Sequence, residues 1–188
     1  MQPIEVPNRS RNDLPLLFKD MGYKVGAEIG VFQGEFTEKF CEVGLTMYAI
    51  DPWLGYSGSG RTEKVQDKQD VNFEEAKTRL SPFKDCKLVR KSSMDALTDF
   101  ADGSLDFVYI DGDHRFRYIA EDLSEWFVKV KSGGAISGHD YFITKPSSTN
   151  VIIQVQPVVD AFVKVHDIKD LYIFGKGDKK PSWMFFKK

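Results

Sequence analysis

Apolar and polar positions along the chain fall into blocks that switch between two periods. Residues 25–30 form an apolar run of strand length closed by a glycine, and predict a β-strand. Residues 36–43 predict the helix that follows, and 46–51 a second strand ending in an acid. A further helix is expected through Phe73, Ala76 and Leu80, then a strand over 87–90. Phe107, Val108, Tyr109 and Ile110 mark a buried strand over 105–111. Ile119, Leu123, Trp126, Phe127 and Val130 recur at helical spacing and predict an amphipathic helix over 118–130. Glycines within 131–134 are expected to stop that helix, with a strand over 135–138. Residues 157–165 predict another amphipathic helix, and Leu14, Leu16, Leu17 and Met21 a leading one.

Strands alternating with helices predict an α/β fold, with a mostly parallel sheet covered on both faces. The end of the chain departs from that rule. Residues 171–174 and 183–186 are apolar runs joined by a short polar segment, and predict a hairpin. No repeat or linker divides the 188 residues, so 1–188 reads as one domain with a helical extension over 1–22. The polar segment 54–70, with Tyr56 and Arg61, reads equally as a lid or as a surface loop, and 142–150 as a second wall.

Composition adds boundaries more than detail. Hydrophobic residues make up 41% and charged residues 29%, enough for a core and unlike a disordered chain. The net charge of -2 lends no support to a nucleic-acid partner, and none is expected. Residues 1–13 lack an apolar signal core and no run of eighteen apolar residues occurs, so neither secretion nor a membrane is expected. Cys41 and Cys86 form no metal-type pair and read as buried thiols in a reducing cytoplasm. Lys179, Lys180, Lys187 and Lys188 read as solvated ends.

Candidate chemistry gathers at strand ends. Glu28, Ile29, Gly30, Val31, Phe32, Gln33 and Gly34 sit where a strand turns into a helix, where glycine lets a ligand approach backbone N–H groups. Asp51 closes the next strand, about 20 residues on, where doubly wound folds place a ribose-binding acid. Asp111, Asp113 and His114 end one strand, and His139 and Asp140 end the next. Fold stability alone gives no reason to place five ionisable side chains there.

These motifs resemble the class I S-adenosylmethionine-dependent methyltransferases. The segments are 28–34, then Ile50, Asp51, Pro52 and Trp53, then 109–114, then Gly133, Gly134 and 138–141. Bacterial small-molecule O-methyltransferases of the macrocin and catechol type are the most similar. The resemblance implies a Rossmann-like, doubly wound sheet of seven strands with an antiparallel C-terminal strand. It implies S-adenosylmethionine as cofactor and a small-molecule acceptor, methylated on a hydroxyl oxygen. The methionine part would lie near Glu28, Gly30, Phe32 and Gly34, and the ribose at Asp51. The adenine would lie near Trp53, Ser93 and Met94, although Trp53 reads equally as a core aromatic and the segment 92–95 as a helix cap.

Two mechanisms fit. In one, Asp111, His139 and Asp140 hold a divalent metal that acidifies the acceptor hydroxyl, although the nitrogen of His139 suits magnesium poorly. In the other, His114 is the general base, with Asp111 or another carboxylate setting its tautomer. His114 lies three residues after Asp111, where the catechol-type enzymes carry a catalytic lysine. The rivals are an NAD-dependent oxidoreductase, which the glycine spacing does not match, and a Rossmann-like domain that binds without catalysis.

Overall fold

The computed structural model describes residues 2–55, 62–144, 153–175 and 180–188. One sheet contains β1 (Ile4–Glu5), β2 (Val25–Ile29), β3 (Thr46–Ile50), β4 (Cys86–Val89), β5 (Leu105–Ile110), β6 (Val130–Gly138), β7 (Tyr172–Phe174) and β8 (Ser182–Phe186). Their order across the sheet is β1-β7-β8-β6-β5-β2-β3-β4. From β2 the chain builds outward through β3 and β4, and from β5 it builds the other way through β6. The reversal opens a crevice beyond the carboxyl ends of β2 and β5. Among the described strands only β8 runs antiparallel, wedged between β6 and β7.

The helices are α1 (Leu14–Asp20), α2 (Glu35–Glu42), α3 (Thr62–Leu80), α4 (Ser93–Ala96), α5 (Phe116–Lys129) and α6 (Val155–Val165). Side chains of a strand alternate between faces, and β5 uses both. Phe107 and Tyr109 pack with Leu14, Phe18, Phe36 and Phe40 of α1 and α2. Val108 and Ile110 pack with residues of α5 and α6, among them Leu123, Trp126, Val158 and Val159. An apolar run without polar alternation is therefore what a strand covered on both sides requires.

Three expectations change. Among the described residues the sheet has eight strands rather than seven, because Ile4–Glu5 adds an edge strand beside β7. Both residues of that strand are exposed, so no apolar pattern marked it; backbone bonds from Ile4 N–H and Val6 N–H hold it. Second, no glycine stops α5. The chain turns directly from Lys129 into β6, and Lys187 Nζ donates to the Phe127 and Val130 carbonyls at 2.8 and 2.6 Å. A lysine expected at a solvated end thus satisfies the last carbonyls of the helix. The glycines belong to β6, beside the register shift between Leu105 and Phe107. Third, α3 begins at Thr62, so the second half of the expected lid is helical. Tyr56, Arg61 and residues 145–150 of the second wall lie outside the described residues.

Candidate active site

The carboxyl ends of β2, β3 and β5 and the start of α4 enclose a cleft of about 450 Å³. Gly30, Phe32, Asp51, Ser93, Met94 and Asp111 line it, so six of the expected contact residues meet in one place. Gly30 is required twice over. Its φ is +88°, and an added Cβ would stand 2.3 Å from the Asp111 carbonyl oxygen. Phe32 follows with φ at +55° and a ring that remains 53% exposed. A left-handed phenylalanine presented to a cleft is an unfavourable conformation that the surrounding structure must hold in place.

Asp51 does the holding. Its Oδ2 accepts from the N–H groups of Val31 and Phe32 at 2.9 and 3.1 Å, and its Oδ1 from Trp53 N–H at 2.7 Å. One carboxylate therefore ties the β2 and β3 loops together while still lining the cleft. Oδ1 keeps a further acceptor site for a ligand hydroxyl.

Three expected contacts lie behind this wall. Glu28 is buried and accepts from Thr37 Oγ1; burial pushes its carboxyl up to about 8 despite that hydrogen bond. Gly34 precedes α2 in a left-handed turn packed against Leu80. Trp53 is fully buried, donates from Nε1 to the Phe32 carbonyl at 2.7 Å and meets Phe73 edge-on. The core reading of Trp53 replaces the adenine one. In the segment 92–95, Ser92 caps α4, and both Ser92 and Ser93 line the cleft.

At the β5 and β6 ends the ionisable groups converge. His114 Nε2 lies 3.2 Å from Asp111 Oδ1 and 3.3 Å from Asp140 Oδ2. His139 Nδ1 lies 3.2 Å from Asp140 Oδ1 and 3.8 Å from Asp111 Oδ1. Burial works to lower the His114 pKa, but the hydrogen bond to Asp111 and the charges of Asp111 and Asp140 outweigh it, so the net shift is upward. For Asp140 burial works upward, and His139, His114 and Lys180 together bring the carboxyl below its ordinary value. Its φ is +56°, and its buried Oδ1 is met by His139 Nδ1 at 3.2 Å without hydrogen-bond geometry. Bonds to two backbone carbonyls fix this corner: Gln154 N–H donates to that of His114 at 2.8 Å, and the indole Nε1 of Trp183 to that of His139 at 3.2 Å.

One ligand atom from each of Asp111, His139 and Asp140 falls within 4.8 Å of the others. The convergence, and a buried Asp140 Oδ1 that accepts no well-formed hydrogen bond, fit a divalent ion, and two carboxylates with one imidazole suit a borderline metal better than magnesium. Two cations already stand on these carboxylates. Arg11 NH1 is 3.5 Å from Asp111 Oδ2, and Lys180 Nζ is 3.2 Å from Asp140 Oδ2. The sequence predicts neither: Lys180 sits in a segment expected to be solvated, and Arg11 comes from the leading segment. No local motif could have marked them, because only the folded chain brings them to β5 and β6. Asp113, by contrast, is turned to Arg115, whose guanidinium holds its carboxyl low against the opposing effect of burial.

Residues 27–141 match the family described as a methyltransferase domain. A curated relative, an uncharacterised protein of Sinorhizobium fredii, is 24% identical over 119 residues, which is 60% of this chain. The chain spans 12% of that relative's length. Among solved structures, one described as a proposed caffeoyl-CoA O-methyltransferase from Staphylococcus aureus superposes with a TM-score of 0.70 at 12% identity, over 96% of this chain and 85% of that one. The O-methyltransferase TomG from Streptomyces achromogenes, involved in tomaymycin synthesis and solved with S-adenosylmethionine, gives 0.65 at 15% identity, over 95% and 79%. At such identities the likeness shows a shared Rossmann-like fold.

Proposed function

Because the chain belongs to the methyltransferase-domain family, we propose that it transfers a methyl group from S-adenosylmethionine to a hydroxyl oxygen of a small molecule. The observation that carries this reading is His114 Nε2 held between Asp111, which lines the cleft, and Asp140. Bound S-adenosylmethionine would supply a methyl already activated on a sulfonium. The protein then has to align an acceptor and take its proton. Asp51 would accept from a ribose hydroxyl, while Phe32 and Met94 would supply apolar contact to the adenosyl group. Alignment accounts for roughly 7–11 kcal/mol of barrier reduction in favourable cases.

His114 in its neutral form takes the hydroxyl proton. Asp111 and Asp140 orient the ring and stabilise the imidazolium that results, and Arg11 and Lys180 keep those carboxylates from carrying uncompensated charge. A positioned base of this kind contributes typically about 10²–10⁴-fold.

A second reading is favoured by Asp140 Oδ1, which is buried and accepts no well-formed hydrogen bond. Asp111, His139 and Asp140 would hold a divalent metal, which would lower the pKa of the acceptor hydroxyl. His114 remains the base in either case. The cytoplasm suits the free thiols Cys41 and Cys86, and among the described residues no helix is long and apolar enough to cross a membrane.

The test is direct. Purified protein is incubated with S-adenosylmethionine and a panel of phenols, catechols and sugars, and S-adenosylhomocysteine release is followed with mass spectrometry of the product. A methyl on oxygen supports the reading. Calorimetric heat with NAD and none with S-adenosylhomocysteine would end it.

A further inference from the structure

Cys41 and Cys86 lie far apart in the chain, and the fold brings them together. Cys41 sits in the last turn of α2 and is buried, whereas Cys86 opens β4 and keeps part of its surface in solvent. Strand β3 is the bridge. Cys86 is paired with Met47, and Met47 and Cys41 belong to one apolar cluster against which Cys86 also packs. The turn before β4 fixes the second cysteine, since its N–H donates to the Phe83 carbonyl at 3.1 Å. The two thiol groups are hydrogen-bonded to each other. The cleft lies beyond the carboxyl ends of the strands, and α2 ends and β4 begins at the opposite side of the sheet. The pair is therefore separate from the methyl-transfer chemistry.

The two sulfurs are not equivalent. Donation from Cys41 draws the Cys86 thiol below its ordinary value against the effect of burial, and the same bond, with burial, keeps Cys41 protonated. The sulfur that solvent reaches is thus the one that more readily becomes a thiolate, the nucleophilic form. We propose that Cys86 and Cys41 form a hydroperoxide-reactive modification site, in which Cys86 attacks the oxidant and Cys41 resolves the product as an intramolecular disulfide. With hydrogen peroxide, an S–O bond forms at Cys86 as the O–O bond breaks, and the departing hydroxide takes up a proton as water. The Cys41 sulfur then attacks the sulfenic acid. The S–S bond forms, the S–O bond breaks, and the oxygen leaves as a second water with the Cys41 proton. Two thiols are oxidised by two electrons, and one peroxide is reduced to two waters. Exchange with an external thiol restores the starting pair.

Peptide mass spectrometry without reduction tests this on the whole chain. Reduced wild-type protein, freed of reductant, is treated with hydrogen peroxide, with and without the sulfenic-acid probe dimedone. The chain should lose the mass of two hydrogens and yield a cross-linked Cys41–Cys86 peptide pair that dithiothreitol separates. In Cys41→Ser the new hydroxyl can still donate to Cys86 but cannot resolve, so the dimedone adduct should accumulate on Cys86. In Cys86→Ser the remaining thiol should react about tenfold more slowly than wild type, or slower still. The wild-type cross-link decides the pairing even where a variant does not fold. Two free thiols surviving an excess of peroxide that fully oxidises free cysteine, disulfides only between molecules, or a dimedone adduct confined to Cys41 would each overturn the proposal.

Discussion

Nε2 of His114 stands 3.3 Å from Oδ2 of Asp140, a carboxylate that a separate strand delivers to it. The contact joins the β5 loop to the end of β6, and it gives the imidazole a second acid besides Asp111, its neighbour three residues earlier. A base held from two sides keeps one ring orientation, which proton removal requires.

Replacing His114 with alanine should therefore spare cofactor binding and reduce turnover by about 10²–10⁴-fold. Single-turnover rates with the accepted substrate, beside calorimetric titration of S-adenosylhomocysteine, separate the two effects. An unchanged rate would remove His114 from the role of base.

Turnover should persist in EDTA, because Arg11 and Lys180 already balance the charges of Asp111 and Asp140. Loss of activity on chelation, restored by manganese, would instead assign hydroxyl activation to a metal on Asp111, His139 and Asp140.

Asp51→Ala should weaken binding of S-adenosylhomocysteine and also lower stability, by about 1–3 kcal/mol for the N–H groups left unmatched. The side chain serves Val31, Phe32 and Trp53 at once, so the two losses should come together. Denaturant unfolding and calorimetry of the same variant check this; intact stability with weakened binding would confine Asp51 to the ligand.

Glu28 sets a pH dependence. Its carboxyl ionises near 4.5 in an unfolded chain and near 8 when folded. Between those values the folded state binds the extra proton, so stability is fully present below about 4.5 and is lost as the pH rises through about 8. Glu28→Gln keeps an oxygen for Thr37 and removes the titration. Its melting temperature should fall less than that of wild type between pH 5 and pH 9, and parallel curves would refute the assignment.

Much of the site was legible because its chemistry sits at strand ends, and strand ends are written locally. The runs at 25–30, 46–51 and 105–111 marked where Gly30, Asp51 and Asp111 would emerge, and these line one cleft. Trp53 could not be placed in this way. An aromatic residue next to an acid serves a ligand or a core equally, and here the Phe32 carbonyl and the ring of Phe73 decide for the core.

What the amino-acid order determined alone is the alternation of elements, the antiparallel ending and the list of ionisable groups at the strand termini. Those features depend on periodicity and on residues close together in the chain. The tertiary structure alone decided that β1 would lengthen the sheet, that Lys187 would close α5, and that Arg11 and Lys180 would join the candidate site. Each of these is a pairing across long stretches of chain, and a charge or an edge strand leaves no period from which its distant partner can be read.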